Sequence, residues 1–169
     1  MTPKRKPFTP NLKTPSEQFG RPESVKGSSL FVHREMKIQL KEADYDYVTS
    51  DVEIYAKSYG IYLEFNRDQG GRSRDRDWMY MIRIANPGGG PITREQYNAM
   101  DDLSEKYMRD PHGECSLRFT TRQTVQFHWV KKNDLKTIIK TMAELDKRSI
   151  NGCGDNTRNV MSCPHSPAK

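Results

Sequence analysis

The stretch SLRFTTRQTVQFHW, Ser116–Trp129, decides how this chain folds. In an extended strand successive side chains point to opposite faces, so alternate residues form two separate files. Leu117, Phe119, Val125, Phe127 and Trp129 make an apolar file, expected to pack onto helices. Arg118, Thr120, Arg122, Thr124, Gln126 and His128 make a polar one, expected to face away from the core. Thr121 and Gln123 interrupt the alternation, which leaves two strands or one long bent strand.

Upstream, WMYMIRIANPGGGP is rich in β-formers and ends in proline and glycine, the pattern of a strand entering a turn. ITREQYNAMDDLSEKYM follows with Thr93 and Gln96 spaced as a capping box, Ile92 placed to staple onto Tyr97, and an inner stripe of Tyr97, Met100, Leu103 and Tyr107. NDLKTIIKTMAELDKRS reads as a helix capped by Asn133 and lined by Leu135, Ile138, Ile139, Met142 and Leu145. A shorter helix is expected in TSDVEIYAKSYG, with Ser50 and Glu53 as its box and Gly60 as its stop. NRDQGGRSRDRD after it is a loop by composition. The order strand, helix, strand, strand, helix predicts an α+β fold of the ferredoxin-like kind, an antiparallel sheet with helices on one face.

At 169 residues the chain suffices for one hydrophobic core. Its 34% hydrophobic content and mean hydropathy of −0.92 are low for a compact fold. The net charge of +6 is unevenly spread: residues 1–42 hold nine Lys or Arg against four Glu, and the rest is nearly balanced. Five of the ten prolines fall in the first 22 residues, so residues 1–29 are expected to be a disordered basic leader, and residues 30–49 an arm or short strand. No apolar run has the length of a membrane span and the N-terminus lacks an apolar signal core, which predicts a cytoplasmic protein without membrane partners. Cys115, Cys153 and Cys163 are odd in number and too far apart for a zinc or cluster half-site, so no metal ligands are expected within the chain.

The run PGGGP lacks the Lys-Ser/Thr pair of a phosphate loop and is read as a tight turn. The arginines carry more information. Arg83 stands between two isoleucines of a strand, Arg118 and Arg122 share one face of the next, and Arg158 follows a glycine-rich turn. Permanently ionised five-donor groups on rigid sheet elements suit carboxylates or an oxyanion.

Three motifs in order, MIRIANPGGGPITREQY, LRFTTRQTVQFHW and GCGDNTRNV, resemble the sirohaem-dependent nitrite and sulfite reductases of the ferredoxin type. The resemblance runs from about Ser50 to Pro167. It implies a ferredoxin-like half-domain over residues 50–150 and the start of the sirohaem- and cluster-binding domain over residues 151–169. It also implies that Arg118, Thr120, Thr121, Arg122, Gln126 and His128 line the sirohaem, with Asn159 shaping the same pocket. Arg83 and Arg158 resemble the two arginines that hold the substrate anion. The implied reaction is six-electron reduction of sulfite to sulfide, or of nitrite to ammonia, with ferredoxin as a donor. The four cysteines that carry the 4Fe-4S cluster in the family, and the lysines presented to substrate, do not occur in this sequence. The chain is therefore expected to be an N-terminal portion, inactive and weakly stable alone, which needs a C-terminal half to complete the centre.

A single-stranded RNA module is the rival reading, because ferredoxin-like sheets also stack bases on aromatics. It is disfavoured here because Phe119, Phe127 and Trp129 share the core-facing parity, so nucleic acid is not the expected partner.

Overall fold

The computed structural model describes residues 20–27, 29–42, 44–69, 76–150 and 159–163, without the side chains of residues 29–33. Its centre is a four-stranded sheet: β1 (Ile61–Phe65), β2 (Trp78–Ile84), β3 (Leu117–Phe119) and β4 (Val125–Val130). All neighbours are antiparallel, in the spatial order β1-β2-β4-β3. Among the described residues, five α-helices accompany it: α1 (Arg21–Gly27), α2 (Ser29–Gln39), α3 (Ser50–Lys57), α4 (Arg94–Tyr107) and α5 (Leu135–Glu144).

The core lies between one sheet face and the helices. Tyr80, Ile82 and Ile84 of β2 and Val125 and Phe127 of β4 meet Val52 and Ala56 of α3, Met100 and Leu103 of α4, and Leu135, Ile138 and Met142 of α5. Burying a large apolar side chain is worth about 1.5–3 kcal/mol, so this layer dominates the stability of the fold. The expected α+β sandwich with helices on one face is what forms.

Several local expectations are corrected. Helix α4 carries its capping box in both directions, Thr93 N–H to Gln96 Oε1 at 3.0 Å and Gln96 N–H to Thr93 Oγ1 at 3.2 Å. Tyr97, however, is 48% exposed and stands outside the inner stripe. The box expected at Ser50 does not form: Thr49 is the cap residue, and Glu53 pairs instead with Lys57 at 3.1 Å. Asn133 sits in a 3₁₀ turn (Lys132–Asp134) ahead of α5 and does not cap it. Strand β1 was not anticipated. Nor were α1 and α2, which place helix where a disordered leader and a strand-like arm were expected; Val25 and Met36 join the core from them. Residues 1–19 lie outside the described part.

The segment after α2 is held down by two buried groups. Tyr80 Oη donates to Asp46 O at 2.9 Å, and Lys132 Nζ donates to Tyr45 O at 2.6 Å. Lys132 is 5% exposed, and desolvation lowers its pKa.

The opening stretch resolves into two strands and a tight hairpin. Thr120 N–H donates to Thr124 O and Gln123 N–H to Thr120 O, with Gln123 at φ 58°. A turn followed by one left-handed residue is a common three-residue hairpin loop. Two members of the apolar file leave the core. Phe119, on the three-residue edge strand, is 58% exposed. Trp129 falls at a β-bulge: the β2–β4 register slips between Ile82↔Phe127 and Tyr80↔Val130, so Val130 takes the core position. Trp129 itself has φ 58°.

Candidate functional site

Arg118, Gln126 and His128 of the polar file lie on the sheet face away from the helices, Thr120 and Arg122 stand on the hairpin loop, and Thr124 is buried. Arg83 of β2, Gln126 of β4 and Arg118 of β3 are cross-strand partners in one row, so Gln126 lies directly between two guanidinium groups. These three, with Phe119, Thr120, Thr121 and Arg122, line a shallow basin of about 370 Å³. No carboxylate is among these lining residues, and none of the ion pairs within the described residues involves Arg118 or Arg122. Placing three arginines together in this way repels them from one another and attracts anions.

The neutral members of the row are fixed by hydrogen bonds. Thr120 Oγ1 lies 2.7 Å from Thr124 Oγ1 and accepts from the Thr124 and Arg122 amides, so its hydroxyl shapes the hairpin from which Arg122 projects. Gln126 lies between Arg83 and His128. Arg83 can only donate, so the Gln126 amide oxygen faces it, at 3.1 Å from Nε and also against Nη2. The amide nitrogen then faces His128 Nε2 at 3.3 Å; the opposite orientation would set an NH₂ group against a guanidinium. The Arg83 guanidinium also lies 5.4 Å from the centre of the Tyr62 ring. Burial, helped by the charges of Arg118 and Arg83, lowers the His128 pKa to about 4, so the imidazole is neutral near pH 7.

Of the residues expected at the site, Arg83, Arg118, Thr120, Thr121, Arg122 and Gln126 come together in the basin, and His128 adjoins it through Gln126. Arg158 lies outside the described residues, as does Cys153. Asn159 sits elsewhere: its Oδ1 accepts from Asn86 N at 3.1 Å and its Nδ2 donates to Arg122 O at 2.9 Å. It thus ties the hairpin loop to the turn after β2 and borders a larger cavity of about 590 Å³, with Asn86, Lys147 and Val160 among its walls. Lys147 Nζ is committed there to Asn86 Oδ1 at 2.6 Å, and desolvation lowers its pKa.

Sequence reasoning missed two residues. Phe119 lines the basin as an exposed aromatic, a position visible in sequence only if β3 had been recognised as a short edge strand. Gln123 makes a two-way amide contact with Ser162, accepting from its N–H at 3.1 Å and donating to its carbonyl at 3.0 Å. Together with Gly88 N–H to Val160 O at 2.7 Å, these contacts strap residues 159–162 across the turn and the hairpin. At Gly89, which has φ 59°, a Cβ would enter only by displacing the Gln123 amide. Within PGGGP, Gly89 therefore serves a close approach between two loops, while Gly88, at φ 70°, serves the tight turn itself.

The aromatic platform of the RNA reading does not assemble: Phe127 is fully buried while Phe119 stands exposed. Among the described residues, no group of three or more His, Cys, Asp or Glu is placed to hold a metal ion, and no helix is long and apolar enough to cross a membrane.

Comparison with known proteins agrees with the fold. Residues 72–145 match the family described as the nitrite/sulfite reductase ferredoxin-like half domain. The chain is 33% identical to the ferredoxin sulfite reductase of Synechococcus elongatus over 148 residues, which cover 88% of this chain and 23% of the relative. It is 32% identical over 160 residues to the NADPH sulfite reductase hemoprotein beta-component of Bacillus subtilis, covering 92% of this chain and 27% of that one. The chain thus spans about a quarter of the length of these relatives. Among solved structures, the NirA protein of Mycobacterium tuberculosis superposes with a TM-score of 0.67 at 19% identity, over 86% of this chain and 27% of that chain. That likeness shows a shared fold. The antiparallel sheet and the matched segment agree: residues 72–145 resemble the nitrite/sulfite reductase ferredoxin-like half domain, and the chain is similar over most of its length to sulfite reductases.

Proposed function

We propose that this chain supplies one wall of the catalytic centre of a sirohaem- and 4Fe-4S-dependent sulfite reductase. The observation that carries the reading is the row Arg83–Gln126–Arg118, with Arg122 beside it and no carboxylate among the basin's lining residues. Sirohaem is a polycarboxylate, and clustered guanidinium groups are the protein's best partners for carboxylates. The basin of about 370 Å³ suits one edge of such a macrocycle, so the donor set fits a partial cradle. Sulfite is favoured over nitrite because these similar proteins are named sulfite reductases, one for ferredoxin and others for NADPH as donor.

In this reading Arg118, Arg122, Thr121, Gln126 and His128 hold the sirohaem edge, and Thr120 sets the hairpin. Arg83 and Arg158 hold the substrate oxyanion. Asn159 contributes by fixing the hairpin to the turn rather than by touching ligand. Bound sirohaem supplies the iron and the electron path for six-electron reduction. The chain's own part is electrostatic: guanidinium donors orient the anion and offset negative charge as electrons arrive. A neutral His128 adds no charge to this wall, so among the described lining residues the arginines set its potential. The 4Fe-4S ligands and a second half-domain come from outside residues 1–169, and the chain alone does not turn over.

The test uses the complete reductase that contains this chain. Arg83→Met is expected to abolish sulfite reduction while leaving sirohaem absorbance in place, and Arg118→Met to lower sirohaem content itself. Turnover that survives Arg83→Met would remove the anion-holding role.

A further inference from the structure

Gln126 is the one uncharged group in the row between Arg83 and Arg118, and both ends of its amide are engaged. Its oxygen faces Arg83 and its nitrogen faces His128 Nε2, two residues along the same strand. An amide nitrogen is a donor only, so Nε2 must be the accepting nitrogen and the imidazole proton must sit on Nδ1. We propose that Gln126 is a positioning residue for Arg83, held in the one orientation that fixes the guanidinium by the unprotonated Nε2 of His128. The inference rests on the reading of Arg83 as the residue that holds the substrate anion.

The charged groups facing His128 are Arg118 on β3 and Arg83 on β2. Its own strand offers only the neutral Gln126 on this face, and Tyr62 and Glu64 of β1 lie beyond β2 on the same side. Both flanking charges oppose a proton on the imidazole, in the same sense as its burial. A proton on Nε2 would set donor against donor at the amide. The amide would then turn over and present its NH₂ to Arg83, releasing the guanidinium from its rest position. One of the contacts that aim Arg83 thus runs through two neutral groups, neither of which adds charge to the anion site.

Nitrogen NMR of the full chain tests this without sirohaem or sulfite. At neutral pH the His128 Nε2 resonance is expected at the unprotonated position and Nδ1 at the protonated one; an Nε2–H tautomer overturns the proposal. Gln126→Glu, whose carboxylate only accepts, is expected to move the proton to Nε2 or charge the ring, and a tautomer indifferent to that change also overturns it. In His128→Ala the Arg83 Nε–H is expected to exchange with solvent about fivefold faster, the factor for one neutral hydrogen bond, with Arg118 Nε–H unchanged. Equal exchange at Arg83 counts against the relay. A refuted relay shows in the imidazole tautomer, whereas a refuted anion role for Arg83 shows as turnover surviving Arg83→Met, so the two failures are separable.

Discussion

At the scale of single residues, the neutral state of His128 has a thermodynamic consequence. Its folded-state pKa, about 4, lies below the ordinary 6.5, so between those values the unfolded chain binds the extra proton. Stability therefore falls as pH drops from about 6.5 toward 4, by about 1–2 kcal/mol because the half-buried ring is partly screened by solvent, and is unaffected by this group above that window. Urea unfolding midpoints measured across the window should fall with acid in the native chain and flatten in His128→Asn; parallel curves would remove the effect. Gly60 provides a second case. At φ 72° it follows α3, and a Cβ there would strike the backbone carbonyls of Ser149 and Arg83. Gly60→Ala should cost about 2–4 kcal/mol, the range for backbone strain with a steric clash, and a thermal midpoint unchanged from the native chain would contradict it.

At the scale of elements, the hairpin and the strap stabilise one another through the Gln123 amide. Gln123→Ala removes two hydrogen bonds to Ser162 and should cost about 1–2 kcal/mol. Gly89→Ala, which drives a methyl group into the same amide, should cost at least as much. The check is calorimetric, and the double variant should be less destabilised than the sum because both changes act on one contact. Much of this arrangement was legible in the sequence: two-residue alternation placed Arg118, Gln126 and His128 on one face, and the Thr93–Gln96 box marked α4 to the residue. What was not legible has physical causes. Phe119 keeps the right parity but lies on an edge strand with too little helix over it. Trp129 adopts a left-handed backbone without the glycine that would have announced a bulge. IYLEF, at five residues, is too short for alternation to separate it from loop, and SLFVHREMKIQ fits both periods until α3 packs against it. Arg158 stands out in the sequence after its glycine-rich turn and takes its anion-holding role from the family resemblance; the strap contact of Gln123 comes from neither route.

At the scale of the whole molecule, charge is distributed unevenly between the two faces of the sheet. One face is sealed by α3, α4 and α5; the other gathers Arg83, Arg118 and Arg122 at its open end. Repulsion among these groups destabilises the chain when no anion is present, and salt screens repulsion between exposed charges within about a Debye length. Raising sodium chloride should therefore increase the thermal midpoint, and polycarboxylate anions should do so at much lower concentration than chloride. A midpoint that falls with salt would place the dominant electrostatics in the surface ion pairs instead.

The slip at Trp129 also sets where this strand tolerates a change in length. An insertion or deletion directly after Val125 inverts the side chains beyond it, turning Gln126 inward and Phe127 outward. The bulge has already absorbed one such inversion, so a residue gained or lost after it leaves Gln126 and His128 in phase with Arg83. Length variation is expected to collect toward Lys131, at the far end of the strand from the arginines, where a shift in frame no longer reaches the basin.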